Sequence, residues 1–152
     1  MFTIAKPDGT LRLLADLREL NKRIRRKPFP LPKINEMLQK LEGFKYATSL
    51  DLNMGYYHIR LSPFSSSLCT VVLPWGKYEY LRLPMGLCNA PDIFQEKMSE
   101  LMAGLEFARA YIDDLLIISN GDFKEHLEQL EQVLTRIAEA NLKVNISKYK
   151  FV

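Results

Sequence analysis

The chain has 152 residues, of which 47% are hydrophobic and 26% are charged, and its formal net charge is +3. This length and composition are typical of one globular domain that builds its own core. No run approaches the roughly 18 apolar residues of a membrane span, and the N-terminus lacks the apolar core of a signal peptide. The two cysteines are too few for a disulfide framework or a zinc site. We therefore expect an intracellular protein without a membrane partner.

The first elements along the chain are predicted to be a hairpin and two short helices. Residues 2–6 and 11–15 are apolar segments joined by a Pro-Asp-Gly sequence, which favours a turn and therefore a β-hairpin. Asp16 is predicted to cap a helix over residues 17–23. Pro32 is predicted to open a second helix over residues 33–41, which Gly43 ends.

A basic run follows the first of these helices. Five of the six residues at 22–27 are Lys or Arg, and an aromatic and proline-rich segment comes next. Such a run suits contact with a phosphate backbone. A solvated loop is the alternative interpretation, and the run taken alone slightly favours it.

The middle of the chain is predicted to contain a strand and a second hairpin. Residues 46–52 form an apolar run that carries Asp51 near its end, where a carboxylate needs a partner or a cation. Residues 53–58 are predicted to form a tight turn or a single helical turn. Residues 67–73 and 77–83 are predicted to pair as the hairpin.

Two longer helices are predicted in the second half. The first begins at Asn89 or Ala90 and runs to about Met102, with an apolar face made of Ile93, Phe94, Met98, Leu101, Met102 and Leu105. The second opens on a capping box of Asp122 and Glu125, and its apolar face is predicted to contain Phe123, Leu127, Leu130, Leu134 and Ile137. Strands and helices intermingled with hairpins predict an α+β fold, an antiparallel sheet with helices packed on one face.

An acidic pair stands between two apolar, β-branched runs. Asp113 and Asp114 are predicted to form the tight turn of a hairpin, although neither Gly nor Asn is available there for positive φ. Two adjacent carboxylates repel each other unless a cation lies between them, and Mg²⁺ prefers such ligands. A solvated acidic turn is the alternative interpretation.

The three aspartates would form a catalytic site if their strands were neighbours. Asp51, Asp113 and Asp114 would then hold two divalent ions for an in-line displacement at phosphorus. Lys6 and Arg12 would supply the positive charge that a triphosphate needs. These residues make the chemistry possible without demonstrating it.

Five motifs in one order along the chain resemble those of a known family. They are Lys6-Pro7-Asp8-Gly9 with Arg12, Asp16-Leu17-Arg18-Glu19-Leu20-Asn21, Leu50-Asp51-Leu52-Asn53-Met54-Gly55-Tyr56, Leu83-Pro84-Met85-Gly86-Leu87-Cys88-Asn89-Ala90-Pro91 with Phe94-Gln95, and Tyr111-Ile112-Asp113-Asp114. Together they resemble the fingers and palm of reverse transcriptases of gypsy-type long-terminal-repeat retrotransposons, with the retroviral enzymes as more distant kin. The resemblance covers nearly all of the chain.

The resemblance implies a right-hand polymerase architecture. It assigns residues 1–152 to one fingers–palm domain, with the fingers mainly at 1–45 and 60–85 and the palm mainly at 46–59 and 86–152. Family members continue into a primer-gripping hairpin, a thumb, a connection and a ribonuclease H domain, which this sequence lacks. We therefore expect an incomplete fragment that binds template–primer weakly, in a strongly salt-dependent way, and has little activity alone.

The resemblance also implies the metal site. Asp51, Asp113 and Asp114 match the catalytic, metal-binding aspartates of the family, and Leu52 matches the residue whose backbone carbonyl faces a metal. The implied cofactors are two ions of Mg²⁺ or Mn²⁺. The implied reaction is the RNA-directed transfer of a deoxynucleotide to a primer 3′-hydroxyl.

The nucleotide-binding residues are implied in the same way. Lys6 and Arg12 match the residues that hold the incoming triphosphate, and Tyr56 matches the aromatic residue that excludes a 2′-hydroxyl. Met85 and Gly86 match residues that contact the nucleotide and the templating base, although many relatives have Phe or Gln at the Met85 position.

The resemblance implies several partners and leaves one rival function. The partners are an RNA or DNA template with its primer, deoxynucleoside triphosphates and, through self-association, a second copy of the chain. The implied location is the cytoplasm or nucleus, including retroelement particles. The alternative is a non-catalytic module of the same fold that binds nucleic acid or another subunit.

Overall fold

The structure is a computed structural model that describes residues 2–5, 9, 11–30, 43–52, 55–145 and 150–151. The chain divides into two compact units, a first unit of Met1–Pro28 with Tyr56–Pro91 and a second unit of Phe29–Gly55 with Asp92–Val152. The helix predicted over residues 33–41 lies outside the described residues. The assignment of fingers and palm to particular ranges stays a prediction. No helix in the described ranges is long and apolar enough to cross a membrane.

The first unit begins with the predicted hairpin. Strands β1 (Phe2–Ala5) and β2 (Leu11–Leu14) pair antiparallel, which confirms that prediction. Helix α1 (Arg18–Asn21) is shorter than predicted, and the residue at its N-cap is Leu17 rather than Asp16. The Asp16 carboxylate instead accepts hydrogen bonds from the backbone N–H and the guanidinium of Arg18, because the two exposed side chains carry opposite charges.

The next part of the chain, which belongs to the first unit from Tyr56 onward, corrects the predicted second hairpin. A 3₁₀ turn (Gly55–His58) confirms the helical turn, and helix α2 (Pro63–Leu68) follows it. Strands β4 (Thr70–Leu73) and β5 (Gly76–Glu79) pair antiparallel but are shorter than the predicted 67–73 and 77–83. Helix α2 replaces the start of the predicted strand because Ser62 accepts a hydrogen bond from Ser65 N–H and proline follows at the first helical position.

The second unit contains an antiparallel sheet of strands β3 (Tyr46–Asp51), β6 (Ala108–Tyr111), β7 (Asp114–Ser119) and β8 (Lys150–Phe151). The strands lie in the order β6-β7-β3-β8. Strand β3 pairs with β7 on one side and with β8 on the other, so strands distant in sequence become neighbours. The predicted antiparallel sheet with packed helices is confirmed.

Two helices complete the second half of the chain. Helix α3 (Ala90–Leu101) matches its prediction, and helix α4 (Phe123–Glu139) begins at the predicted Asp122 cap, whose carboxylate accepts from Glu125 N–H. The predicted apolar face of α4 is partly wrong. Three of its members are exposed, namely Phe123, Leu127 and Leu134. The buried residues of the helix are His126, Leu130, Val133 and Ile137.

Alternation along the strands gives the sheet a buried face and a more open face. Leu50, Leu115 and Ile117 are buried on the first of these faces, where α4 packs against β3 and β7. The alternate residues Leu116 and Ile118 are only half-buried. Asp51 and Asp114 occupy alternate positions as well, so they lie on the more open face.

Candidate active site

Strand register brings two of the predicted aspartates together. Asp51, the last residue of β3, is the cross-strand partner of Asp114, the first residue of β7. Immediately beyond this pair, Leu52 N–H donates to the carbonyl of Asp113 at 2.9 Å. The three aspartates therefore lie at one end of the β3–β7 ladder, as the sequence predicted for neighbouring strands.

The turn between β6 and β7 differs from its prediction. Its two residues are Ile112 and Asp113, whereas Asp114 already belongs to β7. Ile112 has a φ of 51°, which is unfavourable for a β-branched residue. We call Ile112-Asp113 the aspartate turn. Its register places Asp114 rather than the whole acidic pair opposite Asp51.

A buried amide from helix α3 contacts this turn. The side-chain N–H of Gln95 donates to the carbonyl of Ala110 at 2.9 Å, and its Oε1 accepts from Ile112 N–H at 2.8 Å. Gln95 is only 1% exposed. Gln95 belongs to one of the sequence motifs, where its only signal is a polar residue next to the apolar face of α3, and its contact with the turn was not predicted.

The backbone at Gly55, four residues after Asp51, lies very close to the side chain of Phe94. A Cβ built on Gly55 would lie 2.5 Å from the ring Cζ of Phe94, which is 1% exposed. Only glycine permits this approach. Phe94 and Gln95, adjacent on α3, therefore contact the chain shortly after Asp51 and shortly before Asp113.

The carboxylates have the chemistry of a site for Mg²⁺. Asp51 is half-buried, Asp114 is exposed, and one oxygen of the Asp113 carboxylate is buried. Like charges on facing cross-strand positions are destabilising, and a hard cation held by carboxylate oxygens removes that cost. Because Mg²⁺ takes one or two carboxylates and completes its shell with substrate phosphates and water, the donor set fits this ion.

The structure stops short of a three-carboxylate cluster. Within the described ranges, no group of three or more His, Cys, Asp or Glu side chains could hold a metal ion. The assignment of Asp51, Asp113, Asp114 and the Leu52 carbonyl as a joint ligand set therefore stays a prediction.

The predicted nucleotide-binding residues belong to the first unit. Tyr56 and Met85 are half-buried, and Gly86 is exposed with a φ of 106°. Lys6 lies outside the described residues. Arg12 lies on β2 opposite Ile4, and its side chain is likewise outside the described part of the chain.

A second side-chain amide holds the loop that contains Met85 and Gly86. Asn21 donates its side-chain N–H to the carbonyl of Gly86 at 2.7 Å, and its Oδ1 accepts from Cys88 N–H at 2.9 Å. A positive φ costs glycine nothing, so this loop carries no strain at Gly86. Asn21 is the last residue of a sequence motif, but its contact with this loop was not predicted.

Two titratable groups have environments that shift their pKa values. Hydrogen bonds from Arg18 lower the pKa of Asp16 to about 2. Burial lowers the pKa of His126, which lies between α4 and the sheet. Nothing in the sequence pattern indicated a buried histidine in α4, because its neighbours Phe123 and Leu127 are more apolar.

His126 is bonded to hydroxyls on two strands. Its Nε2 lies 2.7 Å from Thr48 Oγ1, and its Nδ1 lies 2.6 Å from Ser119 Oγ. Ser119 donates its own proton to Gln129 Oε1, so its oxygen accepts from Nδ1–H of His126. The neutral imidazole then accepts from Thr48, and the network fastens α4 to β3 and β7.

The end of the β3–β7 ladder thus carries acidic residues on a sheet whose other face packs against helix α4. Residues 4–152 match the protein family described as reverse transcriptase (RNA-dependent DNA polymerase). The chain therefore belongs to the reverse transcriptase family, whose members are nucleotidyltransferases and generally use divalent metal ions.

Curated relatives are polyproteins of retrotransposons. The chain is 36% identical over 153 residues to the retrovirus-related Pol polyprotein from transposon 297 of Drosophila melanogaster, with 97% of this chain and 14% of the relative covered. It is 33% identical over 150 residues to the transposon Tf2-3 polyprotein of Schizosaccharomyces pombe, of which it covers 11%. The chain thus spans a small part of the length of these relatives.

Solved structures give the same family. A prototype foamy virus protease-reverse transcriptase superposes with a TM-score of 0.88 at 31% identity, covering 97% of this chain and 20% of the other. A foamy viral protease-reverse transcriptase in complex with double-stranded DNA gives a TM-score of 0.90 at 26% identity, covering 99% of this chain and 26% of that one. The predicted resemblance and fold class are confirmed.

Proposed function

We propose that this chain is the core of an RNA-directed DNA polymerase that uses two Mg²⁺ or Mn²⁺ ions. The observation that carries the proposal is the register of β3 and β7, which makes Asp51 and Asp114 cross-strand partners beside Asp113. Two like charges at facing positions destabilise the fold. Divalent cations bound between them would neutralise that repulsion and would also serve in catalysis.

The acidic residues have distinct tasks in this proposal. The carboxylates of Asp51, Asp113 and Asp114 would hold the ions, with the backbone carbonyl of Leu52 as a further oxygen ligand. When bound, the two ions lower the pKa of the primer 3′-hydroxyl and stabilise charge on the transferring and leaving oxygens. The 3′-hydroxyl would lose its proton to solvent, its oxygen would bond to the α-phosphorus, and the bond between that phosphorus and the oxygen bridging to the β-phosphate would break, so that pyrophosphate leaves.

The remaining predicted residues would select and orient the substrates. Lys6 and Arg12 would bind the triphosphate, because paired cations neutralise its charge. Tyr56 would exclude a 2′-hydroxyl by bulk, and Met85 with Gly86 would contact the nucleotide and the templating base. These roles rest on the matched motifs.

The proposed partners are nucleic acids and nucleotides. Two foamy viral relatives are described in complex with double-stranded DNA and with an RNA/DNA hybrid. We extend this to an RNA or DNA template with a primer, bound through Lys and Arg contacts to phosphates. Action inside the cell, in the cytoplasm, the nucleus or a retroelement particle, is part of the same proposal.

Primer extension on an RNA template with Mg²⁺ or Mn²⁺ tests the proposal. The chain is assayed alone and joined to the segment that follows the matched region in the transposon 297 polyprotein. The joined protein should synthesise DNA, and Asp113→Asn should reduce its rate about a hundredfold or more because a charged ligand is lost. The matched control is Asp122→Asn, which changes an equivalent carboxylate at a helix cap where asparagine also serves.

The outcomes separate the rival functions. Near-normal synthesis by Asp113→Asn would show that the aspartate assignment is wrong. A joined protein that folds and binds template–primer but extends nothing would favour the non-catalytic module.

A further inference from the structure

The backbone on either side of Tyr111, up to the N–H of Ile112, is held by one side chain. Gln95 accepts from the N–H of Ile112 and donates to the carbonyl of Ala110, two residues earlier. An amide supplies a donor and an acceptor at the same time, which few side chains do. Both contacts are made by a side chain that is 1% exposed, so water cannot readily replace them.

The segment that Gln95 holds is strained. Ile112 has a φ of 51°, and such conformations persist only where surrounding contacts impose them. The bond to Ile112 N–H acts on the strained residue itself. Without it, the turn would be expected to relax toward negative φ and carry the adjoining Asp113 with it.

A second bond connects the same turn to the strand of Asp51. Leu52 N–H donates to the carbonyl of Asp113 at 2.9 Å. The aspartate turn is therefore fixed on one side to α3 and on the other to the end of β3. A shift of this turn changes the distances between the carboxylate of Asp51 and those of Asp113 and Asp114.

We propose that Gln95 is a positioning residue that sets the aspartate turn, and through it the separation of the carboxylates that bind metal. This inference rests on the proposed function, since it assigns Gln95 a role toward the same ions. Residues that orient metal ligands typically contribute 10–100-fold to metal affinity. Gln95→Met keeps a similar volume but removes both hydrogen bonds to the turn, together with a longer 3.4 Å contact to Ser99 Oγ within the helix. We therefore expect it to weaken Mn²⁺ binding about tenfold.

The principal test is a Mn²⁺ titration of the 152-residue chain followed by electron paramagnetic resonance. Wild type, Gln95→Met and Asp114→Asn are compared below their melting temperatures. The matched control is Gln129→Met, because Gln129 is also a bonded glutamine of the second unit but contacts Ser119 and Glu125 rather than the turn. The control should bind Mn²⁺ as wild type does.

Amide hydrogen exchange tests the same proposal without metal, and its first measurement needs only the wild-type chain. Ile112 N–H should be protected in the wild-type chain although it lies in a turn, and Gln95→Met should speed its exchange about tenfold while the β3 amides change less. Rapid exchange of Ile112 in wild type would overturn the proposal. In the active joined protein, Gln95→Met should lower kcat more than it changes KM for the nucleotide.

The two proposals fail in different ways. Equal Mn²⁺ affinity of wild type and Asp114→Asn would refute the metal site, and the role of Gln95 would fall with it. Mn²⁺ binding that depends on Asp114 but is unchanged in Gln95→Met would refute the positioning role alone. A loss of affinity in Gln129→Met equal to that in Gln95→Met would also refute it, because the effect would then be general.

Discussion

The two units of this chain each contain a loop with positive φ that a side-chain amide holds in place. In the first unit the residue with positive φ is Gly86, and Asn21 bonds the loop from α1. In the second unit it is Ile112, and Gln95 bonds the turn from α3. The device is the same, but the residue that adopts the unusual conformation differs.

This difference determines how strongly the conformation of each loop depends on the side-chain amide that bonds it. Glycine adopts positive φ without strain, and the bond from Asn21 to the Gly86 carbonyl is exposed to water. Isoleucine at positive φ stores about 1–3 kcal/mol of strain, and the Gln95 side chain that holds the turn is buried. The aspartate turn should therefore fail when its amide is removed, whereas the Gly86 loop should persist.

The largest effect is expected at Gln95. Gln95→Met leaves the Ile112 N–H and the Ala110 carbonyl without their partner in a buried site, so the free energy of unfolding should fall by about 2–4 kcal/mol. Urea unfolding followed by circular dichroism measures this change. A loss below about 1 kcal/mol would mean that the turn does not need its amide.

Gly55 tests the packing beside the same segment. Gly55→Ala places a Cβ 2.5 Å from the ring of Phe94, and overpacking of this kind should cost about 2 kcal/mol. In the first unit, Gly86→Ala meets nothing closer than 3.9 Å, so its cost should come from backbone strain alone. Crystal structures of both variants should show a displaced Phe94 ring only for Gly55→Ala, and an unmoved ring there would contradict this account.

Asn21 is the weaker counterpart of Gln95. Asn21→Ala should lower the free energy of unfolding by only about 1 kcal/mol, because the bond to the Gly86 carbonyl is exposed and water can replace it there. The measurement is the same urea titration. If Asn21→Ala lowered the free energy of unfolding as much as Gln95→Met does, the proposed difference between the two loops would be contradicted.

The smallest expected effect is a pH dependence of the free energy of unfolding, which differs between a titratable group of the first unit and one of the second. The pKa of His126 is lowered in the folded chain, so the unfolded chain binds its proton more readily and stability falls as pH drops below about 6.5. The pKa of Asp16 in the first unit is lowered to about 2, so its contribution is lost only as pH falls from 3.8 toward that value. Unfolding measured from pH 7 to 5 should therefore show a slope that His126→Gln reduces and Asp16→Asn does not. A slope unchanged in His126→Gln would contradict this assignment.

Much of the fold was predictable because local signals agreed with tertiary structure. The β1–β2 hairpin followed from its turn residues, and α3 and α4 followed from their caps and apolar periodicity. Helix α2 was missed because a short segment next to β4 was interpreted as strand, although Ser62 and proline are a helix start. The buried face of α4 was predicted partly wrongly. His126 rather than Phe123 packs against the sheet, because two hydroxyl groups on the strands satisfy its ring nitrogens.

The site was predictable in composition but not in detail. Asp51, Asp113 and Asp114 stood out as carboxylates in apolar runs, and strand pairing placed Asp51 opposite Asp114. No local rule puts a β-branched residue at positive φ, so the conformation of Ile112 could not be predicted. That conformation depends on Gln95, seventeen residues away in the chain, and such contacts become visible only in three dimensions.

The central claim is that the end of the β3–β7 ladder is a divalent-metal site. Crystals of the chain soaked with Mn²⁺ and a non-hydrolysable deoxynucleoside triphosphate test it most directly, because anomalous scattering locates manganese without reference to activity. The account predicts anomalous peaks within about 2.5 Å of carboxylate oxygens of Asp51 and Asp114. Bound nucleotide with manganese on its phosphates and no peak at these carboxylates would contradict it.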